Sequence, residues 1–136
     1  MEIKVYHSLP KQAAELRQEV FVDEQHFCEE FDQNDQNAIH FVMLDGDEAV
    51  ATCRIVIEGE IYHIGRVAVR RSRRGGGLGR QIIEAAENHI RTLGGKSILI
   101  GAQTQAQGFY AALGYTARGE VYLDEHCEHI EMVKTL

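Results

Sequence analysis

The stretch RVAVRRSRRGGGLGR, from Arg66 to Arg80, holds six of the chain's fourteen Lys and Arg residues, although the protein as a whole has a net charge of −7. Its order is that of a strand, a turn and a helix start. The apolar trio Val67-Ala68-Val69 comes first, then cationic residues, then Gly75, Gly76, Gly77 and Gly79, with a helical pattern opening at Leu78. Such a junction binds anions. The first-turn N–H groups of a helix have no intrahelical partner, and the helix dipole is positive there. Glycines let the backbone approach a phosphate closely and adopt positive φ. Arg73, Arg74 and Arg80 can add charge-assisted hydrogen bonds to phosphate oxygens. The competing reading is a surface turn with solvated arginines; the ordered run Arg74-Gly75-Gly76-Gly77-Leu78-Gly79 favours the phosphate.

Two common phosphate sites do not fit. A P-loop needs GxxxxGK[ST], and no Lys-Ser or Lys-Thr follows these glycines. A dinucleotide fingerprint needs GxGxxG with an acidic residue about twenty positions later. Counted from Gly75, the sixth position is Arg80, and Gly95-Lys96 stands where the acid should be.

The elements around this corner follow from periodicity. Ile3 to His7 alternates as a first strand, and Ser8 and Pro10 signal a helix start ahead of Ala13, Leu16 and Val20. His40–Asp45, Ala49–Ile57 and Ile61–Val69 read as an antiparallel meander turning at Gly46-Asp47 and Glu58-Gly59-Glu60. Leu78, Ile82, Ile83, Ala86, Ile90 and Leu93 mark one face of a long helix that stops at Gly94-Gly95. Ser97–Ile100 is a short buried strand, and a helix over Thr104–Leu113 precedes strands at Tyr115–Tyr122 and Cys127–Val133. The crossover from the Val69 strand through the helix to Ile98 makes a parallel pair. The class is α/β (α+β): one domain over 1–136, a mixed sheet with helices on both faces.

These motifs resemble the GNAT superfamily of acetyl-CoA-dependent N-acetyltransferases. Arg74-x-x-Gly77-x-Gly79 matches its Q/R-x-x-G-x-G/A signature, and Ala102-Gln103 through Gly108-Phe109-Tyr110 to Leu113-Gly114-Tyr115 resembles its second motif. Similarity to the ElaA/YjcF-like branch adds Val20-Phe21-Val22-x-Glu24-Gln25, Asp35, His40, and the tail from Gly119-Glu120 through His129 and Met132. The resemblance implies a largely antiparallel sheet whose Val69 and Ile98 strands splay apart around the thioester. It implies that Arg74, Gly75, Gly76, Gly77, Leu78, Gly79 and Arg80 hold the coenzyme A pyrophosphate, and that Val67, Ala68 and Val69 pair with the pantetheine arm. Gln103 stands where many members have Asn contacting the cofactor, and Gly76 replaces a larger, often basic residue.

Acetyl transfer to an amine needs a proton removed from the ammonium, a donor for the oxyanion and a proton for the departing thiolate. At neutral pH, ionisation of an amine with pKa near 10.4 hides roughly 4–5 kcal/mol of reactivity. The resemblance assigns the thiolate's proton to Tyr110. By pattern alone, Ala106, Phe109, Tyr110 and Leu113 form one helical face, with Phe109 the core aromatic and Tyr110 the polar-tipped member. For the base, His63 falls where several family members place a carboxylate, and His titrates near neutrality. His129, His40 and a water chain are rivals. Backbone N–H groups near Val69 are candidates to polarise the acetyl carbonyl.

The remaining clusters read as structure. Asp124-Glu125-His126-Cys127-Glu128-His129 lacks a second cluster at zinc spacing, and Asp32–Asn37 lacks the glycine and closing glutamate of a calcium loop, so no metal is expected. Glu24, Glu29, Glu30, Asp32 and Asp35 read most simply as a solvated loop, with attraction of a cationic amine as the functional alternative. Cys127 has no mark of an activated nucleophile, and Cys28, Cys53 and Cys127, odd in number and unpaired in spacing, fit a reducing cytoplasm. Acidity argues against nucleic acid, and the absence of a long apolar run or a signal-peptide opening at Met1-Glu2-Ile3-Lys4 argues against a membrane. The expected function is a cytoplasmic N-acetyltransferase moving acetyl from acetyl-CoA to a primary amine, small or protein-borne. A non-catalytic acyl-CoA-binding or sensory module is the alternative, and edge strands near the C-terminus leave a homodimer as a further expectation.

Overall fold

A computed structural model describes residues 1–28 and 30–136. Seven strands form one sheet: β1 (Glu2–Tyr6), β2 (Ile39–Asp45), β3 (Glu48–Glu58), β4 (Ile61–Val69), β5 (Ser97–Gln103), β6 (Thr116–Asp124) and β7 (Cys127–Thr135), in the order β1-β2-β3-β4-β5-β7-β6. Every pairing is antiparallel except β4 with β5. Helices α1 (Lys11–Arg17), α2 (Leu78–Thr92) and α3 (Gln107–Ala112) cover it.

Strand alternation decides which helix meets which face. Phe41 and Met43 of β2 join Ile55, Ile64 and the α2 residues Leu78, Ile82, Ile83, Ala86 and Ile90 in the main core. Val42 and Leu44, pointing the other way, pack with Ala13 of α1. Burying each large α2 side chain contributes about 1.5–3 kcal/mol. Leu93, expected on that face, is exposed instead: the helix ends at Thr92 and the chain turns out through Gly94.

Two local irregularities shape the site. On β4 three steps, Gly65 to Ala68, oppose two on β3, Arg54 to Thr52. This bulge carries Arg66 at φ +50°, a left-handed conformation that non-glycine residues rarely hold. The parallel ladder between β4 and β5 is confined to Tyr62↔Ile98 and His63↔Leu99. Beyond it β5 pairs only with β7, so the β4 edge after His63 faces an open wedge.

The acidic segment departs from the solvated loop expected of it. Gln18–Glu24 continues α1 as a π-helix, and Gln33–Gln36 forms a 3₁₀ turn with Asp32 as its N-cap. Glu30, Asp32 and Asp35 then fold onto arginines. Arg17, only 1% exposed, donates from Nε to Glu30 Oε2 at 2.8 Å and from Nη1 to Asp35 Oδ1 at 2.8 Å. Arg54 donates to Asp32 and Asp35, and Arg66 lies 3.1 Å from Glu30 Oε2 and 3.3 Å from Asp32. Three guanidiniums thus neutralise three carboxylates inside the fold. Among the described residues, Arg54 Nε is left buried without a partner. Glu29 lies outside the described residues.

This network sets an acid limit. Burial alone would raise the Asp35 carboxyl, but the Arg17 and Arg54 guanidiniums outweigh it and hold the group at about 2, below its ordinary 3.8. The unfolded chain therefore binds the proton more readily, so the contribution of Asp35 is present above pH 3.8 and is lost as pH falls through about 2. Its size is about 2 kcal/mol. Glu30 acts oppositely: burial raises it despite Arg66 and Arg17, so its contribution is present below its ordinary 4.5 and is lost as pH rises through the raised value. Thermal midpoints measured from pH 2 to 4 should climb with pH; a flat profile would contradict the Asp35 pairing.

Candidate active site

Gly77 is the N-cap of α2 at φ +80°, Gly75 stands at φ +86°, and no side chain caps the first-turn N–H groups of the helix. Among the described residues, no atom beyond the adjoining stretch of chain lies within 4 Å of where a Cβ would sit on Gly75 or Gly77. The ring of amides is therefore open for an anion, and a side chain at either position would meet strain rather than crowding. These residues, with Arg74, Leu78, Gly79 and Arg80, line a cleft of about 540 Å³. Val67, Ala68 and Val69 form another of its walls. Ala68 and Val69 pair with β3 on one side, Val67 lies in the bulge, and their other edge faces the wedge. The donor-side residues expected from sequence are thus brought together, save Gly76, Gln103 and Arg73, which do not line the cleft, Arg73 reaching Asp45 instead.

A second cavity, of about 420 Å³, lies on the other side of the bulge. His63, Ile64 and Ile100 line it near the base of the wedge, and Phe27, Glu30, Tyr122 and His129 line it further out. The two spaces share four lining residues, Gln25, Val67, Ala106 and Tyr110. Gln103 lines the second cavity, where its amide donates to Gln25 Oε1 at 2.8 Å.

Tyr110 sits at the junction, 8% exposed, while its neighbour Phe109 is 42% exposed over the donor cleft and 3.3 Å from the Cβ position of Gly79. This reverses the sequence reading of Phe109 as the core aromatic. The cause is the 3₁₀ turn Thr104–Ala106, which rotates the face of the six-residue helix behind it. Burial first, and the neighbouring Cys53 second, push the Tyr110 phenol above its ordinary value, so it stays protonated at neutral pH. Among the described residues nothing hydrogen-bonds to its hydroxyl.

The histidines separate. His63 lines the second cavity with its side chain 37% exposed, its Nε2 3.7 Å from Glu58. His129 lines it too, its Nδ1 3.0 Å from the Cys127 carbonyl and its ring stacked on Tyr122. His40 is 1% exposed, bound to the Asp35 carbonyl and lowered by burial; it lines neither cavity, which removes it as a base. Among the described residues no cluster of three or more His, Cys, Asp or Glu could hold a metal, and no helix is long and apolar enough to cross a membrane.

Arg74 is held in place before any ligand arrives. Its Nη1 and Nη2 reach the two oxygens of Glu24 at 2.7 and 2.9 Å, and its Nε donates to the Val69 carbonyl. The Arg74 hydrogen bond depresses the Glu24 carboxyl. A phosphate must compete with this carboxylate for the same fork. Exposed pairs of this kind contribute about 0.2–1 kcal/mol, so Glu24→Gln is expected to tighten coenzyme A binding by up to about fivefold, measured by calorimetry. Unchanged or weaker binding would mean that Glu24 orients Arg74 rather than competes for it.

Comparison with known proteins bears on these features together. The model of the acetyltransferase (GNAT) domain matches residues 6–136. The chain belongs to the GNAT acetyltransferases. YjcF of Bacillus subtilis, named as an N-acetyltransferase, is 34% identical over 127 residues, covering 91% of each chain. An acyl-CoA N-acyltransferase from Pseudomonas aeruginosa superposes with a TM-score of 0.88 at 28% identity, covering 98% of this chain and 99% of that one. Escherichia coli ElaA superposes at 0.86 with 29% identity over 98% of both. As a GNAT enzyme the protein carries out acyl transfer on the seven-stranded, mostly antiparallel sheet described above.

Proposed function

We propose that the protein transfers an acetyl group from acetyl-CoA to a primary amine by direct attack of the amine on the thioester. The observation that carries the reading is the meeting of two cavities at Tyr110, one built on open glycine amides and the other on polar and aromatic side chains. The α2 amides, Gly75, Gly77, Arg74 and Arg80 bind the diphosphate. The free edge of Val67–Val69 takes the pantetheine amides as a strand would, which directs the thioester into the wedge beside Tyr110.

His63 accepts a proton from the acceptor ammonium, directly or through water. The amine nitrogen then bonds to the acetyl carbon, and a backbone N–H near Val69 stabilises the oxyanion. The carbon–sulfur bond breaks as Tyr110 gives its proton to the leaving sulfur; the second proton shed by the attacking nitrogen restores the phenol through water, and His63 releases its own proton to solvent. The unpaired, protonated phenol at the junction supports this assignment. A panel of primary amines incubated with acetyl-CoA, with free thiol followed colorimetrically, tests the reading. Amine-dependent thiol release is expected; none with any amine, alongside intact coenzyme A binding, would leave a non-catalytic acyl-CoA-binding module.

A further inference from the structure

Glu30 combines features that neither the core nor the cofactor site requires. It is 4% exposed and lines the second cavity. Its neighbours hold it in two places: Arg17 Nη2 and Arg66 Nε donate to its backbone carbonyl, while Arg17 Nε and Arg66 Nε approach its Oε2 at 2.8 and 3.1 Å. Both side-chain contacts go to one oxygen. Oε1 has no donor among the described residues, and it is not among the buried atoms shut off from solvent. An almost buried carboxylate that lines the cavity thus keeps one oxygen that its neighbours leave unbonded.

The electrostatic balance at this oxygen favours a cation. Two guanidiniums touch the carboxylate, yet burial still outweighs them in setting its proton affinity. Those guanidiniums are shared with Asp32 and Asp35, so a hydrogen-bonded ammonium at the open oxygen would offset desolvation that they leave incompletely compensated. Besides Arg54 and Arg66, already engaged by the carboxylates, rings line the same cavity: Phe27 lies 6.4 Å from His129 by ring centroids, and Tyr122 stacks on His129 at 5.8 Å. The Tyr122 hydroxyl lies 2.7 Å from the Cβ position of Gly101, so the chain there admits no side chain without moving the ring. Flat apolar faces beside one buried anion suit a single cationic head on an apolar body.

We propose that Glu30 Oε1 receives the ammonium of the acceptor, and that the Phe27, Tyr122 and His129 wall takes its body. The acceptor class is then a primary monoamine with an apolar, ring-bearing substituent. This rests on the amine-acetylation reading above, and its test is a binding measurement that needs no turnover.

The protein is titrated with 2-phenylethylammonium and with its uncharged counterpart 2-phenylethanol. The ammonium is expected to bind at least about tenfold tighter. In Glu30→Gln that preference should shrink to about twofold or less. Asp32→Asn weakens the same ion-pair network without touching the unbonded oxygen, and it should keep the preference. Equal affinity of the two probes for the wild type, or no binding of either, overturns the proposal even if Glu30→Gln fails to fold. So does a preference that survives Glu30→Gln or disappears equally in Asp32→Asn. Thiol release in the amine panel separately decides whether the protein acetylates amines.

Discussion

Tyr110→Phe is expected to lower kcat by about 100-fold or more while the Kd for coenzyme A moves by less than about twofold. The substitution isolates one atom. The ring is fixed by edge-on contacts with Phe109 at 5.1 Å and Tyr115 at 6.0 Å, and Phe preserves both. The hydroxyl has no partner among the described residues, so its removal leaves no orphaned donor or acceptor in the protein. On the proposed mechanism, what is lost is the proton offered to the leaving sulfur. Since burial raises the phenol above 10.0, wild-type activity should show no loss through Tyr110 ionisation below that pH. Steady-state thiol release gives kcat, and calorimetry gives the affinity. An unchanged kcat would take Tyr110 out of the chemistry. A large fall in affinity at constant kcat would make it a packing residue.

The parts of this site that repeat locally were legible in the sequence. Strand alternation up to Val69, the glycines and the apolar face of α2 lie within thirty or so residues of one another, and backbone geometry alone relates them. The donor cleft follows from that order. The acceptor side does not. Arg17 reaches Asp35 across 18 residues and Arg54 reaches Asp32 across 22, with no period to announce either contact. In composition the segment Glu24–Asp35 is indistinguishable from a solvated acidic loop; only its folding against buried guanidiniums makes it a wall. Gln25, shared by both cavities, was visible only as part of a family motif without a role. Phe109 and Tyr110 exchanged places for a different reason. A helix of six residues is too short to fix its own phase, so the 3₁₀ turn ahead of it decides which ring is buried.

Arg17→Met should destabilise the fold by about 3–5 kcal/mol, a fall in Tm of about 10–20 °C for a chain of this size. Methionine replaces the stem well enough; the loss is electrostatic. Arg17 serves Glu30 through Nε and Nη2, serves Asp35 through Nη1 and Nη2, and lies 4.9 Å over the Phe31 ring. Without it two nearly buried carboxylates share the remaining guanidiniums, Arg54 and Arg66. The same residues tether the loop carrying Phe27 and Glu30 to the sheet. Damage should therefore fall unevenly: the amine KM should rise more than the KM for acetyl-CoA, whose cleft is built on α2 and β4. Thermal melts and two-substrate kinetics check both halves. A Tm within about 2 °C of wild type would mean that Arg54 and Arg66 suffice to hold the loop, and that the buried guanidinium of α1 contributes little beyond what a packed apolar side chain supplies.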